Sequence, residues 1–135
     1  MPSFTLIPYM VVFAGAGLGG ALRHGVNQIA AHLFGFAFPY GTFIVNVLGS
    51  LAMGLLAEYF ALRGGLPQEL RLLLTTGVLG GFTTFSTFSL DTVTMWERGQ
   101  GSVAMAYAVL SLALSVGALI AGLAIVRVFL SGTNL

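Results

Sequence analysis

Hydroxyl and amide side chains recur at intervals of four in two separate charge-free stretches of this sequence. Thr42, Asn46 and Ser50 make one set, and Tyr107, Ser111 and Ser115 the other. Residues four apart lie on one helix face, so each set forms a stripe of hydrogen-bonding groups. Asn46 is the member that most needs partners, because its amide carries two donors and an acceptor oxygen. It either pins two helices together, an interaction worth about 1 kcal/mol, or belongs to a pore or binding face. A lone Ser in a membrane helix commonly bonds back to the carbonyl four residues earlier. Two stripes in one small protein suggest instead a narrow file of donors. Acids are missing from its depth: Glu58, Glu69 and Glu97 fall near helix ends, and Asp91 comes late enough to cap a helix or pair with Arg98. Among the bases only Arg23 reaches deep. A proton-coupled cation exporter calls for a carboxylate near the membrane midplane, whereas donors without acids suit a small anion.

Between the stripes lies Gly80-Gly81-Phe82-Thr83-Thr84-Phe85-Ser86-Thr87-Phe88-Ser89. Glycine loosens the backbone there, and hydroxyls can satisfy amides and carbonyls released from a helix. The segment predicts a bend over 80–84 between a half-helix at 66–79 and another at 85–96. Unpaired backbone costs several kcal/mol in hydrocarbon, so such a break must be covered by protein or line water. Its carbonyls suit an alkali cation such as Na⁺, as at the discontinuous helices of transporters. In a head-to-tail pair, two breaks would cage one cation on the axis. Phe82, Phe85 and Phe88 follow at intervals of three. They either pack or present positive ring edges to an anion stripped of water. Fluoride, small and a strong hydrogen-bond acceptor, is the halide that such a path fits best.

Positioning these groups falls to membrane helices. Of 135 residues, 57% are hydrophobic and 7% charged, against roughly 25% charged in a soluble domain. Charge is missing from 4–22, 39–57, 72–90 and 99–126, and one crossing needs about 17 to 25 apolar residues. A single domain over 1–135 is therefore expected, an all-α membrane protein with helices near 4–32, 40–62, 67–97 (interrupted at 80–84) and 101–129. The first is too long and glycine-rich for a signal peptide and lacks a basic leader. The short loops leave no room for a catalytic or nucleotide-binding domain, so no enzyme activity is expected. A net charge of +1 speaks against a nucleic-acid partner. Cysteine is absent, and the two histidines and four acids have no metal-site spacing.

With four crossings, Arg63, Arg71 and Arg127 share one side while Arg98 and Arg23 tend toward the other. So even a split is either noise in the positive-inside rule or the mark of a chain that inserts both ways and pairs antiparallel with itself. Small residues at Gly15 and Gly19, Ala16 and Gly20, Ala113, Gly117 and Ala121, and Ala118 and Gly122 predict close helix packing. A thin four-helix bundle has little space for a lumen, which makes an oligomer the natural transport unit.

Three segments carry a family likeness: Gly17-Leu18-Gly19-Gly20-Ala21-Leu22-Arg23, Gly41-Thr42-Phe43-Ile44-Val45-Asn46-Val47-Leu48-Gly49-Ser50, and the glycine–threonine–phenylalanine stretch above. Through them the chain resembles the small bacterial fluoride channels (the Fluc or CrcB family) over essentially its whole length. The resemblance implies an antiparallel, dual-topology homodimer in the bacterial inner (plasma) membrane. Two pores would pass fluoride passively outward and relieve its toxicity. On that likeness Asn46 is the pore amide and Phe85 and Phe88 are the bordering rings. Tyr107, Ser111 and Ser115 are the helix-four pore positions, with Thr42 beside them. Arg23 falls at a vestibule, and backbone carbonyls of Gly80 and Thr83 from both subunits hold a central structural Na⁺. Relatives commonly carry Glu where this chain has Asp91, whose shorter side chain reaches less far. Two other readings stand beside this one. A proton-coupled small multidrug exporter should carry a carboxylate in its first helix, where this chain has none. A purely structural membrane subunit should show no flux of its own.

Overall fold

Each charge-free run coils into helix, because hydrocarbon offers backbone groups no partners but their own. The structure is a computed structural model describing residues 4–131. α1 spans Leu6–Phe34 and α2 Tyr40–Leu62; α3 covers 68–82, α4 Phe85–Glu97 and α5 Gly101–Ser131. Three helices, Leu6–Phe34, Tyr40–Leu62 and Gly101–Leu130, are long and apolar enough to cross a membrane singly. α3 and α4 share the remaining crossing. The chain is thus a multi-pass helical bundle with one broken member. Gly35, at φ 81°, ends α1 by giving its N–H to the Ala31 carbonyl at 2.9 Å, a left-handed stop that glycine adopts without strain.

The broken crossing differs in detail from the expected bend. Only Thr83 (φ −89°, ψ 161°) and Thr84 (φ −154°, ψ 121°) leave the helix. Gly80 keeps helical angles of φ −62° and ψ −38°, so α3 runs on past the anticipated stop. Its middle, Leu73–Leu79, is π-helical, and the Gly80 N–H reaches the Thr75 carbonyl five residues back. Such wide turns are rare, and no sequence pattern announced this one.

Gly77 and Gly81 of α3 serve proximity rather than freedom. A Cβ on Gly81 would stand 3.0 Å from the Ala16 Cα and overlap the Ala16 carbonyl. One on Gly15 would lie 2.7 Å from the Leu73 carbonyl oxygen and 2.9 Å from the Gly77 Cα. α1 and α3 therefore touch backbone to backbone, where close van der Waals contact is the main adhesive available in lipid. α2 and α5 do the same: a Cβ on Gly122 would meet the Leu55 nitrogen at 2.7 Å. Of the small residues read from the sequence, Gly15, Ala16, Gly19 and Gly122 are used in this way, a Cβ on Gly19 standing 2.9 Å from the Phe82 nitrogen. Gly20 and Gly117 look onto open space.

Gly81→Ala should lower the melting midpoint of the purified protein in detergent. Neither the Ala16 carbonyl nor its Cα can swing aside alone, so overpacking of about 1–3 kcal/mol is expected. An unshifted midpoint would remove the close-approach explanation for that glycine. At the other interface, Arg127 and Glu58 join α5 to α2 through Nε–Oε1 at 3.1 Å and Nη2–Oε2 at 3.2 Å.

Candidate functional site

Asn46 holds the break. Its Nδ2 donates to the Thr84 carbonyl at 3.0 Å, and its Oδ1 accepts the Thr84 N–H at 2.8 Å. The side chain thus pairs with Thr84 as a neighbouring strand would, which is why Thr84 can stay extended inside a bundle. Thr84 also opens α4: its hydroxyl accepts the Thr87 N–H at 3.2 Å, an N-cap of the usual kind. Of the two readings of Asn46, pinning accounts for its oxygen and one hydrogen. A second Nδ2 hydrogen is left over.

These substitutions release two carbonyls. An unbroken helix would send the Thr84 N–H to the Gly80 carbonyl, but Asn46 takes it. It would send the Thr87 N–H to the Thr83 carbonyl, but the Thr84 hydroxyl takes it. Gly80 and Thr83, the expected Na⁺ ligands, are thus two of the four residues at the break, with Gly81 and Phe82, whose oxygens have no donor from a continuing helix. Neutral backbone oxygens of this kind fit an alkali cation. The carbonyl between them, Gly81, accepts Arg23 Nε at 3.1 Å. Arg23, expected at a vestibule, thus sits half-buried at the C-terminal end of α3, where a cation also complements the helix dipole.

Beside the break lies a cavity of about 210 Å³. Asn46 and Ser50 enter it from α2, Thr83 and Thr84 from the break, Phe85 and Phe88 from α4, and Ser111 and Ser115 from α5. Ser111 Oγ and Ser115 Oγ are buried without a hydrogen-bond partner. Other hydroxyls behave as lone ones usually do. Thr75 bonds to the Arg71 carbonyl at 2.6 Å, Thr83 to Leu79 at 3.0 Å, Ser89 to Phe85 at 3.0 Å and Thr92 to Phe88 at 2.8 Å. The two serines of the predicted stripe stand apart from that habit. Leaving a buried polar group unpaired costs about 1–3 kcal/mol, so these two hydroxyls remain available to a hydrogen-bonding partner.

Tyr107 and Thr42 belong elsewhere. Tyr107 is fully buried and donates its hydroxyl to Asp91 Oδ2 at 3.1 Å. Thr42 lines a second cavity of about 470 Å³, together with Asp91, Asn27 and Arg98. Asp91 therefore meets Tyr107 rather than forming an ion pair with Arg98. The single file expected from the two stripes is divided into two chambers with aromatic rings between them. Phe85 and Phe88 have centroids 5.7 Å apart. Phe88 is half-buried, while Phe85 borders the small cavity with 78% of its surface exposed. Asp91 and Ser50 extend the set beyond the singled-out pore residues. Ser50 was already visible as the third member of its stripe, whereas the bond from Tyr107 to Asp91 spans 16 residues and left no local signal.

Fold and chamber define a small multi-pass helical membrane protein whose cavity beside the break offers hydrogen-bond donors and no carboxylate among its lining residues. The model of the CrcB-like protein, camphor resistance (CrcB) family matches residues 10–123, and the chain belongs to that family. It is 59% identical over 120 residues to the fluoride-specific ion channel FluC of Methylobacterium nodulans, covering 89% of this chain and 96% of that one. With the protein of the same name from Granulibacter bethesdensis it shares 53% identity over 127 residues, covering 94% of this chain and 100% of the relative. A Nitrobacter hamburgensis fluoride-specific ion channel, FluC 2, is 56% identical over 119 residues, or 88% of this chain and 96% of the relative.

Proposed function

We propose that the chain is the subunit of a passive fluoride-selective channel in the bacterial inner membrane, exporting fluoride and relieving its toxicity. The observation that carries this is the pair of unpartnered hydroxyls, Ser111 and Ser115, lining one narrow cavity with Asn46. Three spare donors can replace the water of a small anion. Phe85 and Phe88 add positive ring edges. The names borne by relatives at 59% and 53% identity point the same way. α1 contains no Asp or Glu, which removes the feature a proton-coupled multidrug exporter would need.

The conducting unit in this reading is an antiparallel homodimer. Phe85 borders the ion chamber yet exposes 78% of its surface, so a second copy would complete the wall that one chain leaves open. The near-even placement of five arginines on the two sides is compatible with insertion in both orientations. The freed carbonyls of Gly80 and Thr83, doubled by the twin, would hold a Na⁺ ion as a fixed structural charge at the centre. Arg23 would steady the same end of α3 through Gly81.

Purified protein in liposomes loaded with fluoride or chloride tests the proposal with ion-selective electrodes. Rapid fluoride release with negligible chloride release is expected; equal release of both, or of neither, would refute it. Phe85→Ile should cut fluoride release by about tenfold or more if its ring edge contacts the ion, the scale set by loss of one electrostatic contact of about 1.4 kcal/mol or more. Undiminished release would reduce Phe85 to a packing residue.

A further inference from the structure

The two chambers lie along one stripe of α2. Thr42 lines the larger and Asn46 the smaller, and four residues of helix amount to about 6 Å. What fills that interval is aromatic. Tyr107 packs against Phe88 at 5.2 Å and against Phe38 at 5.3 Å, the latter with ring planes at 90°. Phe38 also meets Tyr40 at 5.0 Å and Phe43 at 6.3 Å. Met95 and Ala104 complete the buried cluster.

The members of this septum are held differently. Tyr107 is tethered by its hydroxyl to Asp91, and both Tyr107 and Phe88 sit within helices, α5 and α4. Phe38 alone comes from the short connection between α1 and α2, and its ring is kept in place by packing only. Phe88 faces the smaller chamber while Phe38 faces the larger. An apolar constriction of this kind blocks hydrated ions and is sensitive to the width of its narrowest ring.

We propose that Phe38 seals the septum between the two chambers and is a specificity-determining residue, excluding halides larger than fluoride. This rests on the reading of the chain as a fluoride conduit. No hydrogen bond of Phe38 is at stake, so its contribution is the shape of its ring. Removing the ring should join the chambers through the gap beside Tyr107. Replacing it by another ring of the same outline should change nothing.

The test compares fluoride and chloride efflux from liposomes holding wild type, Phe38→Ala, Phe38→Leu or Phe38→Tyr, each first checked for wild-type elution in detergent. Phe38→Ala should raise chloride efflux by about tenfold or more, since differences of one side chain in an apolar pocket discriminate on that scale. Phe38→Tyr should keep wild-type selectivity. Phe38→Leu should shift in the same direction as Ala by less, and it decides the matter if the Ala variant fails to fold. Unchanged fluoride and chloride efflux in the variants would overturn the proposal. So would loss of fluoride efflux with no gain in chloride, because a path that closes when a ring is removed is not sealed by it. Wild type that passes no fluoride would refute the channel reading itself, a separate result.

Discussion

Asn46→Asp should abolish fluoride efflux, by about a thousandfold at neutral pH. A carboxylate about 4 Å from the ion adds roughly 4 kcal/mol of repulsion at an effective dielectric constant of 20, and each 1.4 kcal/mol is tenfold. A second loss comes from the break. Asp can still accept the Thr84 N–H, now made at 2.8 Å, but it cannot donate to the Thr84 carbonyl, now bonded at 3.0 Å. Two acceptors would then face each other, at a cost of about 1–3 kcal/mol. The variant should therefore melt lower as well as conduct less. Asn46→Leu separates the two effects, because it removes the clamp without adding charge. Efflux from Asn46→Asp near the wild-type rate would exclude Asn46 from the ion path.

The serine pair gives the sharpest contrast between function and stability. Ser111→Ala with Ser115→Ala should reduce fluoride efflux by about a hundredfold, taking two lost hydrogen bonds to a charged acceptor at roughly 1.5 kcal/mol each. The same change should leave stability equal or higher, because both hydroxyls are buried without a protein partner and their removal ends an unpaired burial. A structural serine would behave in the opposite way, losing stability and sparing flux. Thr92→Ala is the natural control, since its hydroxyl already bonds the Phe88 carbonyl at 2.8 Å. Efflux preserved in the double variant would show that the two hydroxyls do not serve the ion.

The broken crossing illustrates what could and could not be read from residue types. The interruption itself was legible, because Gly80 to Ser89 places glycine, threonine and serine where hydrocarbon would otherwise be continuous. Its position was not. Two glycines look like the weak point, yet both remain helical or closely packed, and the chain opens at Thr83 and Thr84. Asn46, 38 residues away, decides this by taking the Thr84 N–H. The stripes were similarly visible as stripes. That Ser111 and Ser115 keep free hydroxyls while Tyr107 gives its own to Asp91 depends on which helices meet there.

Hydropathy and the positions of nine charged side chains determine, from sequence alone, that this protein crosses a membrane several times and must hide one interrupted segment. Lipid makes that inference local, since it offers no partner to exposed backbone. The family likeness is local too, carried by short runs of adjacent residues. Only the tertiary structure decides which amide closes the break, which hydroxyls stay unpaired, and that a ring from the α1–α2 connection stands between two chambers. Those outcomes are set by competition among distant groups for the same hydrogen bonds and the same space, and no spacing along the chain encodes who wins.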